Sequence, residues 1–271
     1  MHVSKSEFLK LVARWDELGA CSLIPADSKD FAEAVGIFSV PKDSRFDRLI
    51  VNPKAINSRM ATVSESTKEL APGCMLGLLS LGAGEMYRFS ADDLSDYYYT
   101  FVVSEARAQR NAFRLRLQGS EVSHLRCFKE ELRNKEVLVC LKTLAMGDGL
   151  AVEIAQQSHA NVLRYLCGAM RPHECLRYRQ PVPRTDFVEL LAIDDHVRLQ
   201  RLPIADFRKQ PALRDTAVFT AAAGAYKTVG LIQQEKKQKR NQTRGIILGA
   251  DLDGLLGPVM ALRDGCDFCF S

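Results

Sequence analysis

The chain has 271 residues, 26% of them charged and 46% hydrophobic, with a formal net charge of +4. This length can bury a sizeable core in one large domain or in two closely joined subdomains. The small net charge excludes a histone-like polycation, and without a run of about 18 apolar residues nothing predicts a membrane span. The eight cysteines and a polar start unlike a secretory signal predict reduced thiols and an intracellular location, either nuclear or cytoplasmic.

The first part of the chain predicts an amphipathic helix and then a basic hairpin. Residues 6–18 have helical periodicity, and residues 38–57 contain two extended runs, with Lys42 between them and Arg48 near the start of the second. Lysine offers a phosphate a point charge, and arginine offers it a bidentate contact. From the residues alone, a solvated basic hairpin is the plain interpretation.

Asp93 closes an extended run and precedes a cluster of aromatic residues at positions 97–101. Carboxylates at a strand end place negative charge where a cation or freely accessible water is needed. The position is therefore a candidate metal ligand. The plainer interpretation is a core strand followed by aspartates that cap a helix.

A glycine-containing turn follows at residues 144–149, where Gly147 and Gly149 allow close backbone approach. Asp148 stands where an acid at the start of a helix is favoured. The residues after the turn predict a mostly apolar helix that contains Gln156. Without neighbouring motifs, this segment is typical of an ordinary capped core helix.

The apolar run 187–193 ends in the adjacent carboxylates Asp194 and Asp195, and residues 196–202 predict a second short strand. The pair would lie at a hairpin tip, where carboxylates suit the hard cation Mg²⁺, although a solvated turn is the alternative. Two-metal phosphoryl transfer needs carboxylates from separate strands that hold ions about 3.5–4 Å apart. Asp93 and Asp194 would supply them if their strands are neighbours.

Past the acidic pair, residues 216–226 predict a helix of small residues. Residues 235–240 then form a basic run that includes Lys236 and Lys237. Such a run favours a solvated loop that touches backbone phosphate over a catalytic element.

Taken in order, these segments resemble the reverse transcriptase family, specifically the fingers and palm of a retroelement RNA-directed DNA polymerase. Asp93, followed five residues later by Tyr98, is similar to the family's first catalytic motif, and residues 144–159 are similar to the second. Residues 192–195 resemble the third motif, which has an aromatic residue where this chain has Ala192. The resemblance covers roughly residues 30–257.

The resemblance implies that Asp93, Asp194 and Asp195 are catalytic and hold two Mg²⁺ ions, for which Mn²⁺ could substitute. It also implies that Tyr98 excludes ribonucleotides, because its ring fills the space that a 2′-hydroxyl needs. The nucleotide-binding residues implied by the family are Lys42, Arg48, Tyr98, Met146, Gly147 and Gln156. The lysine of the family's later palm segment corresponds to Lys236 or Lys237.

The fold class expected from the resemblance is α+β, in the right-hand arrangement of polymerases. Fingers are expected at residues 1–85 and a palm at 86–257, with a return to the fingers near 118–134 and a tail at 258–271. Together these form one reverse transcriptase domain. Its palm would be a small antiparallel sheet backed by helices, with the thumb missing or truncated.

The function implied is that of a retroelement reverse transcriptase, a nucleotidyltransferase that adds deoxynucleotides to a primer 3′-hydroxyl on an RNA or DNA template. The expected partners are the primed template, deoxynucleoside triphosphates and no membrane, with room for a partner chain that supplies a thumb or ribonuclease H. The alternatives are a catalytically inactive retroelement-derived nucleic-acid-binding protein, a structural module, and a metal-dependent nuclease. The nuclease needs neither Tyr98 nor the glycine turn.

Overall fold

The computed structural model describes residues 4–41, 47–60, 67 and 70–256. The chain folds as two compact units, the first comprising Met1–Val63 and Asp96–Ala151 and the second comprising Ser64–Ser95 and Val152–Ser271. Lys42 and the predicted tail at residues 258–271 lie outside the described residues. The division into fingers at 1–85 and palm at 86–257 stays a prediction.

Helices and small antiparallel sheets make up both units. In chain order the helices and strands are α1 (Lys5–Glu17), β1 (Cys21–Pro25), β2 (Gly36–Pro41), β3 (Asp47–Asn52), α2 (Lys54–Asn57), β4 (Glu85–Asp93), α3 (Glu105–Arg110), β5 (Leu117–Gln118), β6 (Glu136–Leu141), α4 (Ala151–Cys167), β7 (Phe187–Ala192), β8 (Asp195–Pro203), α5 (Ile204–Phe207), α6 (Arg214–Thr228), β9 (Lys239–Gln242), β10 (Arg244–Ile247) and β11 (Ala250–Asp253). Among the helices of the described residues, none combines the length and the apolar character needed to cross a membrane.

The first unit is built around α1 and a three-stranded antiparallel sheet of order β1-β6-β5. Helix α1 begins after Ser4, whose hydroxyl accepts a hydrogen bond from the backbone N–H of Glu7. Its buried residues recur every three or four positions and so share one face. On that face Trp15 stacks on Phe113 with ring centroids 5.2 Å apart. The predicted amphipathic helix is confirmed.

A hairpin of β2 and β3 completes the first unit, with antiparallel pairing from Pro41 opposite Asp47 to Gly36 opposite Asn52. This hairpin lies beside the glycine-containing turn, because the backbone N–H of Val51 donates to the carbonyl of Met146 at 3.2 Å. Gly147 follows with φ of +108°, a conformation that side chains disfavour. The close approach of hairpin and turn therefore depends on this glycine.

The second unit contains a four-stranded antiparallel sheet of order β7-β8-β4-β9. Its two faces differ in chemistry. The apolar face carries Phe89 and Leu199, which pack with a 3-10 turn at Gly73–Leu78 and with β11. The opposite face carries buried charged and polar residues, among them Arg88 and Arg198. Because side chains alternate along a strand, the register determines which residues reach each face.

Helices α4 and α6 contribute to the polar face of this sheet. Asp215, in the first turn of α6, accepts two hydrogen bonds from the Arg88 guanidinium, both of 2.7 Å. A bidentate pair of this kind fixes direction as well as distance. The segment predicted as a helix of small residues at 216–226 is confirmed as part of α6.

We expect Gly147→Ala to destabilise the protein. The added Cβ would lie 2.3 Å from the carbonyl oxygen of Val51, so the hairpin or the turn would have to move. The free energy of unfolding, measured by urea denaturation, should fall by about 3 kcal/mol. Gly19→Ala is the matched control. Gly19 has φ of +66° and no atom within 4 Å of the position of its added Cβ, so backbone strain alone should cost about 1–2 kcal/mol. Equal losses in the two variants would contradict a close-approach role for Gly147.

Candidate functional site

The antiparallel register of β4 and β8 places Asp93 directly opposite Asp195. Directly opposed residues share one face of a sheet, with their Cβ atoms about 4.5–5.5 Å apart. The strand that ends before Asp194, β7, lies in the same sheet as β4 but is separated from it by β8, so the two acidic runs do not end neighbouring strands. The residue opposite Asp93 is Asp195, however, whereas Asp194 belongs to the turn.

The turn between β7 and β8 consists of Ile193 and Asp194, so the carboxylates lie at a hairpin tip as predicted. Ile193 has φ of +59°, which is a rare conformation for a β-branched residue. Its backbone N–H donates to Oε1 of Gln156 at 2.7 Å, and Nε2 of Gln156 donates to the Leu191 carbonyl at 3.1 Å. On the other side, the Leu94 N–H donates to the Asp194 carbonyl at 3.2 Å. Helix α4 and β4 thus both hold the turn.

A cleft of about 390 Å³ opens beside the acidic pair within the second unit. Its lining combines carboxylates, lysines and apolar residues, including Asp93, Asp195, Lys236, Lys237, Lys239 and Ile246. The lysines come from a 3-10 turn at Glu235–Lys237 and from the start of β9. The cleft therefore has an acidic side and a basic side.

Lys237 connects these two sides. Its Nζ lies 2.6 Å from Oδ2 of Asp93, and this hydrogen bond raises the pKa of Lys237. Lys236, the other candidate for the palm lysine, lines the same cleft. In this structure the ammonium of Lys237 supplies the countercharge of Asp93.

Burial raises the pKa of Asp195 to about 7, and the nearby carboxylates of Asp194 and Asp93 add to the effect, whereas Lys237 and Lys239 oppose it. A divalent cation would offset the repulsion that Asp194 and Asp93 exert on the ionised form of Asp195. Their oxygen atoms are also the ligands that Mg²⁺ prefers. The donor set at this tip fits a hard divalent cation.

Asp92 precedes Asp93 but lies on the opposite face of the sheet, where it forms ion pairs with Arg198 and Arg240. Burial acts to raise the pKa of Asp92, but the two guanidinium groups outweigh it and hold the pKa below its usual value. Alternation along β4 thus assigns one aspartate to a buried charge network and its neighbour to the acidic tip.

The predicted nucleotide-binding residues of the first unit lie around the hairpin and the glycine turn. Arg48 is exposed on β3. The carbonyl of Met146 accepts from Val51, and the carbonyl of Gly147 accepts from Nδ2 of Asn57 at 2.9 Å. Tyr98 is half-buried in a 3-10 turn at Tyr97–Thr100. Their contacts with a nucleotide stay predictions.

Gln156, also predicted to bind nucleotide, is buried in the second unit, where its amide group holds the turn before Asp194. This role was not predicted from the sequence, and neither were the position of Lys239 in the cleft and the hydrogen bond between His159 and the Ile193 carbonyl. Lys239 follows Lys237 by two residues. His159 follows Gln156 by three residues, a spacing that puts both on one face of a helix.

A second group of metal-ligand atoms lies in the first unit, where those of Asp16, Cys21 and Cys127 are within 4.8 Å of one another. The two Sγ atoms are 4.0 Å apart. Both oxygens of Asp16 accept backbone N–H groups, from Arg126 at 2.7 Å and Cys127 at 2.9 Å. Hydrogen bonding to Cys21 and burial raise the pKa of the Cys127 thiol. This group combines two sulfur atoms with a carboxylate that already holds a loop, and Mg²⁺ prefers oxygen ligands.

Two solved structures with a similar fold are of a foamy viral protease-reverse transcriptase. The foamy viral protease-reverse transcriptase dRH in complex with double-stranded DNA has a TM-score of 0.58 and 13% sequence identity, covering 96% of this chain and 35% of that one. The foamy viral protease-reverse transcriptase in complex with double-stranded DNA has a TM-score of 0.59 and 12% identity, covering 96% of this chain and 43% of that one. This chain thus spans less than half the length of either.

No family model and no curated protein sequence matches this chain. At 12–13% identity the structural likeness shows the fold alone. The protein therefore has a reverse-transcriptase-like fold, with mixed helices and small antiparallel sheets.

We expect Asp195 to lower the stability of the metal-free protein as pH rises from 5 to 8. Its pKa is about 7 in the folded state and about 3.9 in an unfolded chain, so between these values the folded state binds more protons. The contribution that protonation makes to stability is therefore lost as pH approaches and passes 7. We expect about 1–2 kcal/mol from this group, since water at the cleft screens part of the effect.

Urea unfolding in EDTA at pH 5 and pH 8 measures this contribution as the difference between the wild-type protein and Asp195→Asn. The control is Asp206→Asn, which changes an aspartate that pairs with Lys209 at the surface. An unchanged pH dependence in Asp195→Asn would show that Asp195 does not titrate in this range.

Proposed function

We propose that the protein is an RNA-directed DNA polymerase that extends a primer 3′-hydroxyl with deoxynucleoside triphosphates. The observation that carries the proposal is the direct opposition of Asp93 and Asp195 on adjacent strands, beside a turn that presents Asp194. Within a reverse-transcriptase-like fold, this is the arrangement of carboxylates that two-metal phosphoryl transfer uses. The right-hand division into fingers and palm is part of the same proposal.

Asp93, Asp194 and Asp195 would hold two Mg²⁺ ions, or Mn²⁺ in their place. Burial is the main cause of the raised pKa of Asp195, and the charges of Asp194 and Asp93 add to it. Those neighbouring charges support this role, because a cation would neutralise them. When bound, the two ions would lower the pKa of the primer hydroxyl and neutralise charge on the triphosphate.

The lysines of the cleft would bind phosphate. Lys236, Lys237 and Lys239 line the same cleft as the carboxylates, so phosphate groups bound near the acidic pair would meet positive charge. Contacts between ammonium groups and phosphate are charge-assisted hydrogen bonds, stronger than those between neutral groups. This supports a nucleoside triphosphate or a nucleic-acid backbone as the ligand.

The proposed macromolecular partner is a primed RNA or DNA template. Both similar structures are complexes with double-stranded DNA, which favours nucleic-acid binding by this fold. A retroelement origin and a partner chain that supplies a thumb or ribonuclease H stay predictions. So do the nucleotide contacts of Lys42, Arg48, Tyr98, Met146, Gly147 and Gln156.

One observation favours a second candidate function, that of a catalytically inactive nucleic-acid-binding protein. Lys237 forms an ion pair with Asp93 at 2.6 Å, so the chain itself supplies a countercharge at the acidic tip. A protein of this kind would bind an RNA–DNA hybrid equally well with and without Mg²⁺.

Primer extension on a poly-ribo template with dTTP and Mg²⁺ tests the proposal. We expect the wild-type protein to extend the primer. Asp93→Asn, Asp194→Asn and Asp195→Asn should each lower the rate by more than about 100-fold, because each removes a charged ligand. Asp206→Asn, outside the cleft, should extend at the wild-type rate.

Hybrid binding in EDTA and circular dichroism accompany the assay, to show that the variants are folded. Primer extension by Asp195→Asn at the wild-type rate would contradict the proposal. A wild-type protein that binds the hybrid but does not extend the primer would favour the inactive binding protein.

A further inference from the structure

Beneath the turn that carries Asp194, four buried side chains form a continuous chain of hydrogen bonds that ends on the Ile193 carbonyl. Glu189, His196, His159 and Tyr226 are all 0–1% exposed. Oε1 of Glu189 lies 2.9 Å from Nε2 of His196, and Nδ1 of His196 lies 3.2 Å from the Tyr226 hydroxyl. That hydroxyl lies 2.9 Å from Nε2 of His159, whose Nδ1 lies 2.7 Å from the Ile193 oxygen.

The direction of each hydrogen bond follows from the last acceptor. A backbone carbonyl only accepts, so Nδ1 of His159 carries a proton and donates it to Ile193. Burial and the neighbouring His196 lower the pKa of His159 to about 3, which leaves the ring neutral. Nε2 of a neutral ring with a protonated Nδ1 is an acceptor, so the Tyr226 hydroxyl donates to it.

The same reasoning applies to the hydrogen bonds from Tyr226 to His196 and Glu189. The hydroxyl of Tyr226 has one proton and gives it to His159, so it accepts from Nδ1–H of His196. One proton then lies between Nε2 of His196 and Oε1 of Glu189, which are 2.9 Å apart, on either the ring or the carboxyl group. Burial raises the pKa of Glu189. Its other oxygen accepts the backbone N–H of Met170 at 2.7 Å, as the carbonyl oxygen of a protonated carboxyl group would.

The opposite direction of donation does not satisfy all four hydrogen bonds. If Nδ1 of His196 accepted from Tyr226 instead, each later bond would reverse, and a neutral His159 would present an unprotonated Nδ1 to the Ile193 oxygen. Two acceptors would then face each other at 2.7 Å in a buried site, which costs about 1–3 kcal/mol. A charged His159 would avoid that clash but is opposed by its burial and by Arg198.

The last of these hydrogen bonds is made to Ile193, the strained residue of the turn. Gln156 and His159, three residues apart on α4, hold the N–H and the C=O of Ile193 respectively. Both polar backbone groups of the residue at φ +59° are thereby fixed by one helix face. A strained backbone persists where its surroundings determine it in this way.

We propose that His159 is a positioning residue for the acidic turn, fixed by Tyr226 as the Nδ1–H tautomer so that it holds the Ile193 carbonyl and, through it, the orientation of Asp194. The hydrogen-bonding part of this inference stands on the structure alone. Its consequence for catalysis rests on the proposed polymerase function.

The tautomer of His159 can be measured whether or not the protein has polymerase activity. In ¹⁵N-histidine-labelled protein, long-range ¹H–¹⁵N correlation spectra separate Nδ1–H from Nε2–H rings, and His159→Asn identifies the resonances of His159. We expect the Nδ1–H tautomer for His159. In Tyr226→Phe, which removes the donor to Nε2, His159 should lose its fixed tautomer, with the resonances of the exposed His124 and His173 as internal references. An Nε2–H ring at His159 in the wild-type protein overturns the proposal, even if a variant fails to fold.

Primer extension then tests the positioning role through a replacement that keeps the donor. His159→Leu removes the hydrogen bond to Ile193, whereas His159→Asn places an amide N–H near the position of Nδ1. We expect His159→Leu to lower kcat about 10- to 100-fold with KM for dTTP nearly unchanged, and His159→Asn to recover most of kcat. Gln157→Leu, on the exposed side of the same helix, should keep the wild-type kcat.

The two variants separate positioning from simple stability. If His159→Leu and His159→Asn have the same kcat and differ from the wild-type protein only in thermal stability, His159 has a structural role alone and the proposal fails. If the wild-type protein does not extend primers, the polymerase function fails, and the tautomers of the wild-type and Tyr226→Phe proteins decide whether His159 is fixed on Ile193.

Discussion

The antiparallel pairing of β4 with β8 is the constraint on which the rest of the candidate site depends. It sets Asp93 opposite Asp195, although like charges directly opposed across a sheet are unfavourable. A shift of one residue would separate them, but it would also turn Phe89 away from the apolar core and bring Arg88 into it. Burial on the two faces of the sheet thus holds the carboxylates together against their repulsion.

The polar face explains how so much buried charge is accommodated. Arg88 pairs with Asp215 of α6, and Asp92 pairs with Arg198 and Arg240. Buried ion pairs add little net stability, because desolvation offsets their attraction, but breaking one is strongly destabilising. Their contribution here is geometric, since α6 also supplies Tyr226, whose hydroxyl joins the two histidines beneath the acidic turn. Helix α6 therefore contributes both to the buried ion pairs and to the hydrogen bonds beneath the hairpin tip.

The sequence predicted the parts of the site that depend on local pattern. The apolar run before Asp194 predicted the hairpin, and the glycine turn predicted the start of α4. Hydrophobic periodicity and turn residues can both be recognised within a short stretch of sequence. Which lysine meets Asp93 could not be predicted, since the 3-10 turn at Glu235–Lys237 decides it. Nor could the partner of His159, because Tyr226 is 67 residues away. The nucleotide contact implied for Gln156 stays a prediction. Its hydrogen bonds to Leu191 and Ile193 could not be predicted, because they depend on how α4 packs against the end of β7.

The strain in the turn indicates that the acidic tip is more than a solvated hairpin end. A left-handed, β-branched Ile193 costs about 1–3 kcal/mol relative to a relaxed residue, and glycine or asparagine would fit the same turn without that strain. The fold nevertheless devotes Gln156 and His159 to holding it. A relaxed turn would close the hairpin equally well, so stability alone does not account for this arrangement. Under the proposed function, orientation of the neighbouring carboxylate does, because a metal ligand must be held within a fraction of an ångström.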